Sequence, residues 1–486
     1  MRNHYLSITL LAVLGWQVEA QAQYGTTQVP RLVVNITIDQ LRSDYLETFA
    51  ANYGENGFKK LLTEGVVYEN AYYPFVHPDK ASAISTIITG TTPSYHSIVG
   101  EQWLDRESLR PVLCTEDPLQ PGIPSPAQMA VSCLGDELKI ASLGMAKIFA
   151  IAPFSDMAIL SAGHAADGAF WMNEKTGRWV SSQYYSNTIY GWLLNYNEIH
   201  GVQNKKNKTV WLPSVAQDKP SFKHQFKSNR RYLEYQTSGL INADITNLAL
   251  ECVSDQSLGA DETTDLLCLS YYAGHFDHKP VTDCQQELED TYIRLDHELG
   301  NLITALENRI GEGNVLFVLT GTGYSDPDGI DYSIYRIPTG TFYVNRAANL
   351  LNMYLGALWG QGKYIEGSYE NQLFFNHQLL ESKRISLTDA TLRSQEFISQ
   401  MAGVRNVYTS LQLLNGNHDN LAKIRNSFHS QRSGDVIIEV APGWHLQNEE
   451  TGYDRLSQAS ATFFPIIIYG ANISSARVLT PVTTDR

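Results

Sequence analysis

Four short stretches carry side chains able to do chemistry. They are Asp39 closing "RLVVNITIDQ", the loop "VHPDKASA" with His77, Asp79 and Lys80, the run "GHFDH" with His275, Asp277 and His278, and "GTGYSD" ending in Asp326. Imidazoles and carboxylates are the donors that divalent cations take. Asp39, His275, Asp277 and His278 could therefore rebuild a metal site, with His77, Asp79 and Asp326 in support. The preferred reading of the same residues is carboxylates and imidazoles hydrogen-bonded at strand ends beside polar loops, since a new metal site needs several coincidences. Lys80 is the odd member. It stands where a strand-like stretch turns into a helix, a place suited to a hydroxyl nucleophile, and its ammonium is positive unless its pKa is strongly depressed. "GTG" at 321–323 is too short for a phosphate loop, and no G-x-S-x-G, Walker A or H-E-x-x-H pattern occurs. His164 in "SAGH" and Trp171 in "AFWM" read as packing residues at the edge of an insertion.

These side chains need a scaffold that brings distant segments to one place. "RLVVNITIDQ", "DLLCLSYY" and "NVLFVLT" are continuous apolar runs, the pattern of strands covered on both faces of a parallel sheet. "SGDVIIEVAPGW" and "FFPIIIYG" read as a closing pair. Between them, "QELEDTYIRLDHELGNLITALENR" puts Leu288, Tyr292, Leu295, Leu299 and Ile303 on one helical face. Strands alternating with helices predict an α/β layered domain with a mostly parallel sheet. Ligands of such sheets sit beyond the carboxyl ends of the strands. Asp39, the turn after Phe75, "YYAGH" and "GTGYSD" are then neighbours. The core is expected over about 30–164, 241–344 and 431–486, with polar insertions at about 165–240 and 345–430. The Tyr-rich "SSQYYSNTIYGWLLNY" is either the core of the first insertion or an aromatic contact surface.

The chain has 486 residues, 43% of them apolar, enough for a large core. Acids outnumber bases, 51 to 36, for a net charge of -15, which argues against nucleic acid or an anionic membrane as the main partner. Residues 1–22 read as a signal peptide: Arg2, the apolar "LSITLLAVLGW", and small residues for cleavage near Ala20 or Ala22. An exported protein, periplasmic or secreted, with no transmembrane segment is the expectation. Its five cysteines include no C-x-x-C pair, so nothing supports a thiolate zinc site.

Taken together, "RLVVNITIDQLRSDYL", "GFKKLLTEGVVYENAYY", "STIITGTTPSYHSIVGEQWLDR", "AILSAGHAADGAFWM", "GHFDH" and "FFPIIIYG" resemble the alkaline phosphatase superfamily. The resemblance is to its branch near type I phosphodiesterases/nucleotide pyrophosphatases and exported bacterial phosphate-monoesterases, and it runs in order over nearly the whole chain after the leader. It implies a three-layer α/β/α sandwich, two zinc ions, and a Thr or Ser nucleophile. Carried over position by position, Asp39 and His275 match zinc ligands. The nucleophile position falls at Lys80. Other ligand positions fall at Tyr271, Thr322, Gly323 and Phe463, and substrate-contacting positions at Glu101, Phe154 and Asp156. A catalytic zinc needs about three protein ligands, and each implied site keeps one. The expectation is a pseudoenzyme with no catalytic residue and no metal or other cofactor, acting as a binding or scaffold protein with an unknown partner, such as one in the cell envelope. In that state Lys80 would occupy vacated cation space and pair with Asp39. The alternative is a zinc-dependent phosphate mono- or diester hydrolase with a site rebuilt around His275, Asp277 and His278.

Overall fold

The computed structural model describes residues 29–485, apart from 189, 206–208, 216–218, 330–331, 417–418 and 459–461. The expected signal peptide lies outside the described residues. The β-branched and aromatic runs form a ten-stranded sheet centred on Leu32–Asp39, which pairs in parallel with Asp265–Tyr272 on one side and Val315–Gly321 on the other. Beyond Asp265–Tyr272 lie Ile148–Ala152, Gly168–Met172 and Trp179–Val180; beyond Val315–Gly321 lie Phe464–Gly470, Val66–Tyr72 and Ala476–Val478, and Val482–Thr483 also pairs with Val66–Tyr72. Only Phe464–Gly470 and Trp179–Val180 run against the others.

Side chains alternate to the two faces of these strands. Val34, Ile36 and Ile38 join one apolar cluster with Leu295, Leu299 and Ile303 of the helix Val281–Ile310. Leu266, Cys268, Ile148 and Ala150 join a second cluster with Ile84 and Ile159, from the helices Lys80–Thr89 and Ser155–Ala162. Helices thus cover both faces, as the sandwich expectation required. The helix stripe Leu288, Tyr292, Leu295, Leu299 and Ile303 is fully buried.

Both insertion boundaries move. Gly168–Met172, placed in the insertion beginning near 165, is an all-buried strand pairing in parallel with Ile148–Ala152. A five-residue apolar run is too short for periodicity to distinguish a sheet strand from hinge packing. "SGDVIIEVAPGW" does not join the central sheet. Val436–Val440 pairs with Gln372–Phe375 and Val404–Thr409, and with Ile365–Tyr369 forms a separate four-stranded sheet. That sheet shares an apolar cluster with Leu351, Leu355 and Ile398. Gly340–Tyr343, Trp444–Asn448 and Tyr453–Leu456 form a three-stranded sheet beside it. Apolarity signals burial, not which sheet does the burying.

This second lobe is fastened to the main body by arginines. Arg106 binds Asp435 at 3.1 Å and donates to the Ser433 carbonyl, while Arg432 donates to the Ser97 and Gln128 carbonyls at 2.7 and 2.8 Å. The carboxyl ends of Leu32–Asp39, Asp265–Tyr272, Val315–Gly321 and Ile148–Ala152 open at one edge of the sheet, and the loops after them build the site.

Candidate active-site cleft

Strand pairing places Asp39 opposite Tyr272 and Ile38 opposite Gly321, so the segments after these strands meet, as strand-end geometry predicts. Asp39 is 1% exposed. Its Oδ1 accepts from the Thr322 hydroxyl at 3.0 Å, and that hydroxyl accepts from the Gln40 N–H at 2.8 Å. Burial pushes the Asp39 carboxyl up to about 6, with Lys80, Tyr324 and Thr322 pulling the other way. Tyr324 lies inside "GTGYSD", where the sequence marks only Asp326 as a candidate metal donor.

Lys80 opens the helix Lys80–Thr89. Asp79 caps that helix by accepting from the Ser82 N–H at 2.8 Å, and its other oxygen accepts from the Glu101 N–H at 2.6 Å. This fixes Glu101 beside Lys80. The Lys80 ammonium lies 2.8 Å from Glu101 and 3.5 Å from Asp156, and 4.9 Å from the centre of the Phe154 ring. The expected partner was Asp39. The structure instead pairs Lys80 with Glu101 and Asp156, because the helix start aims the side chain along the loops that carry them, and Asp39 acts on it only as a more distant charge. Burial works against the ammonium, but Asp156, Glu101 and Asp39 outweigh it and hold Lys80 protonated above the usual lysine range. Burial pushes the Glu101 carboxyl up, Lys80 opposes this, and Asp156 and Asp79 add to the rise.

The residues of "GHFDH" diverge. His275 bonds through Nδ1 to the Lys279 carbonyl at 2.9 Å, and its Nε2 is buried without a hydrogen-bond partner. Burial lowers its pKa. Asp277 turns to Arg230 at 3.3 Å, and His278 bonds Asp326 at 3.1 Å. Among the described residues no three His, Cys, Asp or Glu side chains converge as a metal would require. Asp277 and His278 have positive φ angles, 52° and 54°, and the turn brings each to its own partner, Arg230 and Asp326.

The remaining carried-over positions sit at the same edge of the sheet. Tyr271 is fully buried, and its hydroxyl meets Thr246 at 2.9 Å. Gly323 has φ +69°, and a Cβ there would fall 2.5 Å from the Tyr73 ring, so no side chain fits. Tyr73 in turn donates to the Gly321 carbonyl at 2.9 Å and packs against Phe75 and Phe464. Phe463 is half-exposed, edge-on to Tyr72. His164 is fixed between Asp136 and the Met129 carbonyl, in keeping with a packing role. His77 and Asp79 line a chamber of about 350 Å³ facing Glu370 and Arg455 of the second lobe.

Lys80, Glu101, Phe154, Asp156, Trp171 and Gln236 line a cleft of about 470 Å³. Gln236, missed in the sequence, comes from the Tyr-rich insertion and carried no motif to mark it. A groove of about 580 Å³ between Met129, Ile140, Leu143 and His164 is larger but holds none of the strand-end side chains.

Comparison with known proteins gives a consistent family. The model of the type I phosphodiesterase/nucleotide pyrophosphatase family matches residues 33–460. Alkaline phosphatase PhoV of Synechococcus elongatus is 29% identical over 458 residues, covering 86% of this chain and 82% of that protein. Alkaline phosphatase PafA of Elizabethkingia meningoseptica is 26% identical over 460 residues, covering 85% and 82%. The crystal structure of wild-type PafA superposes with a TM-score of 0.79 at 24% identity, covering 94% of each chain, and so shares the fold.

Proposed function

The chain belongs to the type I phosphodiesterase/nucleotide pyrophosphatase family, and from that premise we propose that it is an exported member that binds or scaffolds instead of cleaving phosphate esters. The relatives named alkaline phosphatases supply the contrast. One observation carries the reading: an ammonium, Lys80, occupies the first turn of the helix where the family resemblance puts a hydroxyl nucleophile, clamped between Glu101 and Asp156. A protonated amine has no lone pair to attack phosphorus. The two carboxylates also repel a phosphate dianion at the place where catalysis would need positive charge or hydrogen-bond donors.

The resemblance implies zinc, and the residues present do not fit a pair of such ions. One Asp39 oxygen is held by Thr322, Asp277 and His278 have turned to Arg230 and Asp326, and Gly323 cannot carry a ligand. His275 alone favours a second reading, a single rebuilt zinc site in a hydrolase. Its Nδ1 is anchored on a backbone carbonyl, its Nε2 is unpartnered and its pKa is low, the posture of an imidazole ligand.

Purified protein, equilibrated with zinc and desalted, separates the two. The expected outcome is far less than one zinc per chain and no turnover of p-nitrophenyl phosphate or bis-p-nitrophenyl phosphate above buffer. Near-stoichiometric zinc with chelator-sensitive hydrolysis of either ester would establish the hydrolase. Capture of a cell-envelope protein by the tagged chain, abolished by competing untagged chain, is the matching positive result for the scaffold.

A further inference from the structure

The 470 Å³ cleft beside Lys80 falls in the size range of small-molecule sites. Its charges do not balance. One ammonium serves two carboxylates, Glu101 and Asp156, and the pair Glu174 and Lys175 at the rim adds no net charge. With both carboxylates ionised, one negative charge is left over on the wall. An acid excess alone would be an ordinary solvated surface, but a second feature lies within the cleft. Gln236 is 1% exposed, and its amide nitrogen is pinned by the carbonyls of Pro153 and Met172 at 2.7 and 2.9 Å. Those two bonds fix which end of the amide is which, and leave the carbonyl oxygen Oε1 with no donor. A buried acceptor without a donor costs about 1–3 kcal/mol, so it is an unmet demand for an N–H or O–H. Phe154 and Trp171 supply flat apolar walls on which a cation is favoured.

Resting on the noncatalytic reading of this same cleft, we infer that it binds a small organic cation carrying N–H groups, an alkylammonium or guanidinium compound, in place of a phosphate ester. The cation neutralises the surplus carboxylate between Glu101 and Asp156, an N–H reaches Gln236 Oε1, and the carbon chain lies along Phe154 and Trp171. A quaternary ammonium meets the charge but not the carbonyl. Inorganic phosphate can offer the carbonyl an O–H but adds negative charge beside the surplus carboxylate. The chemistry that sets the pocket apart is thus its acceptors, Glu101, Asp156 and Gln236 Oε1, set against the already paired Lys80.

Calorimetric titration of the full chain with agmatine, 1,4-diaminobutane, tetramethylammonium and inorganic phosphate tests the assignment. Agmatine and diaminobutane are expected to bind saturably, one per chain, with tetramethylammonium weaker by about tenfold, the loss of one hydrogen bond to a charged group. Asp156→Asn weakens agmatine by about tenfold, and Gln236→Met erases the difference between diaminobutane and tetramethylammonium. If Gln236→Met does not fold, Asp156→Asn with the four probes still decides. Absence of saturable binding by either N–H cation, equal binding of tetramethylammonium, or tighter binding of phosphate overturns the site. Ester hydrolysis is measured on the same preparation: turnover with cation binding retained removes the noncatalytic reading and leaves the site, whereas neither turnover nor binding removes the site alone.

Discussion

The two halves of the strand-end edge handle charge in opposite ways. Around Lys80, charge is met by charge: an ammonium, two carboxylates and an aromatic ring, all facing an open cleft. Around Asp39 and His275, charge is met by removal from water. Asp39 is enclosed by Thr322 and Tyr324, His275 is held neutral, and Gln40 Nε2 and His275 Nε2 are buried without partners. Charged groups at strand ends can therefore be accommodated by a built-in counter-ion or by enclosure that raises the cost of ionisation. The first keeps a polar, ligand-accessible surface; the second leaves a closed and strained one.

The sharpest way to break this contrast is to remove the counter-ion. Lys80→Met leaves Glu101 and Asp156 facing each other without compensation and is expected to cost about 3 kcal/mol in denaturant unfolding at pH 8, with much of the loss recovered at pH 5 as the carboxyls protonate. An unchanged midpoint would mean that solvent in the cleft already screens the pair.

Next is the enclosed side, where the sign reverses. The folded state holds the Asp39 proton up to about pH 6, whereas the unfolded chain releases it near its ordinary value of 3.8. The folded state thus binds more protons between those values, so this residue's contribution to stability falls as pH rises through the window and stays lost above it. Asp39→Asn removes that penalty and should raise stability at pH 8 by on the order of 2 kcal/mol, with no gain at pH 3.5. His275 works in the other direction. Its lowered pKa makes the unfolded chain the better proton acceptor, so stability is lost as pH falls below the usual histidine range. Thermal melts of Asp39→Asn across pH 4–8 should expose this acid limb once the opposing one is gone. The smallest effect concerns Tyr271: Tyr271→Phe removes one buried hydrogen bond to Thr246 and should cost about 1 kcal/mol, unaffected by added zinc.

Much of this edge was legible from the sequence because strand runs are local and periodic. Asp39, "YYAGH" and "GTGYSD" converge as parallel-sheet geometry requires. What escaped depends on direction. Nothing in "VHPDKASA" says that Lys80 aims at Glu101 and not Asp39, because the Asp79 cap that positions Glu101 joins residues 22 apart. "GHFDH" has the right donors, but two left-handed residues scatter them. "VIIEV" was legible as a strand, yet its partners lie in a lobe with its own core. Gln236 matters through an absent bond, which no sequence pattern encodes.

The arginine fastenings between lobe and body have a consequence in solution. Arg432 grips the Ser97 and Gln128 carbonyls, and Arg106 is held by the buried Asp435, so the lobe is anchored on backbone oxygens and a buried carboxylate. Salt, which weakens exposed ion pairs, should leave this anchorage intact, and hydrogen exchange of the lobe should change little between low and high ionic strength.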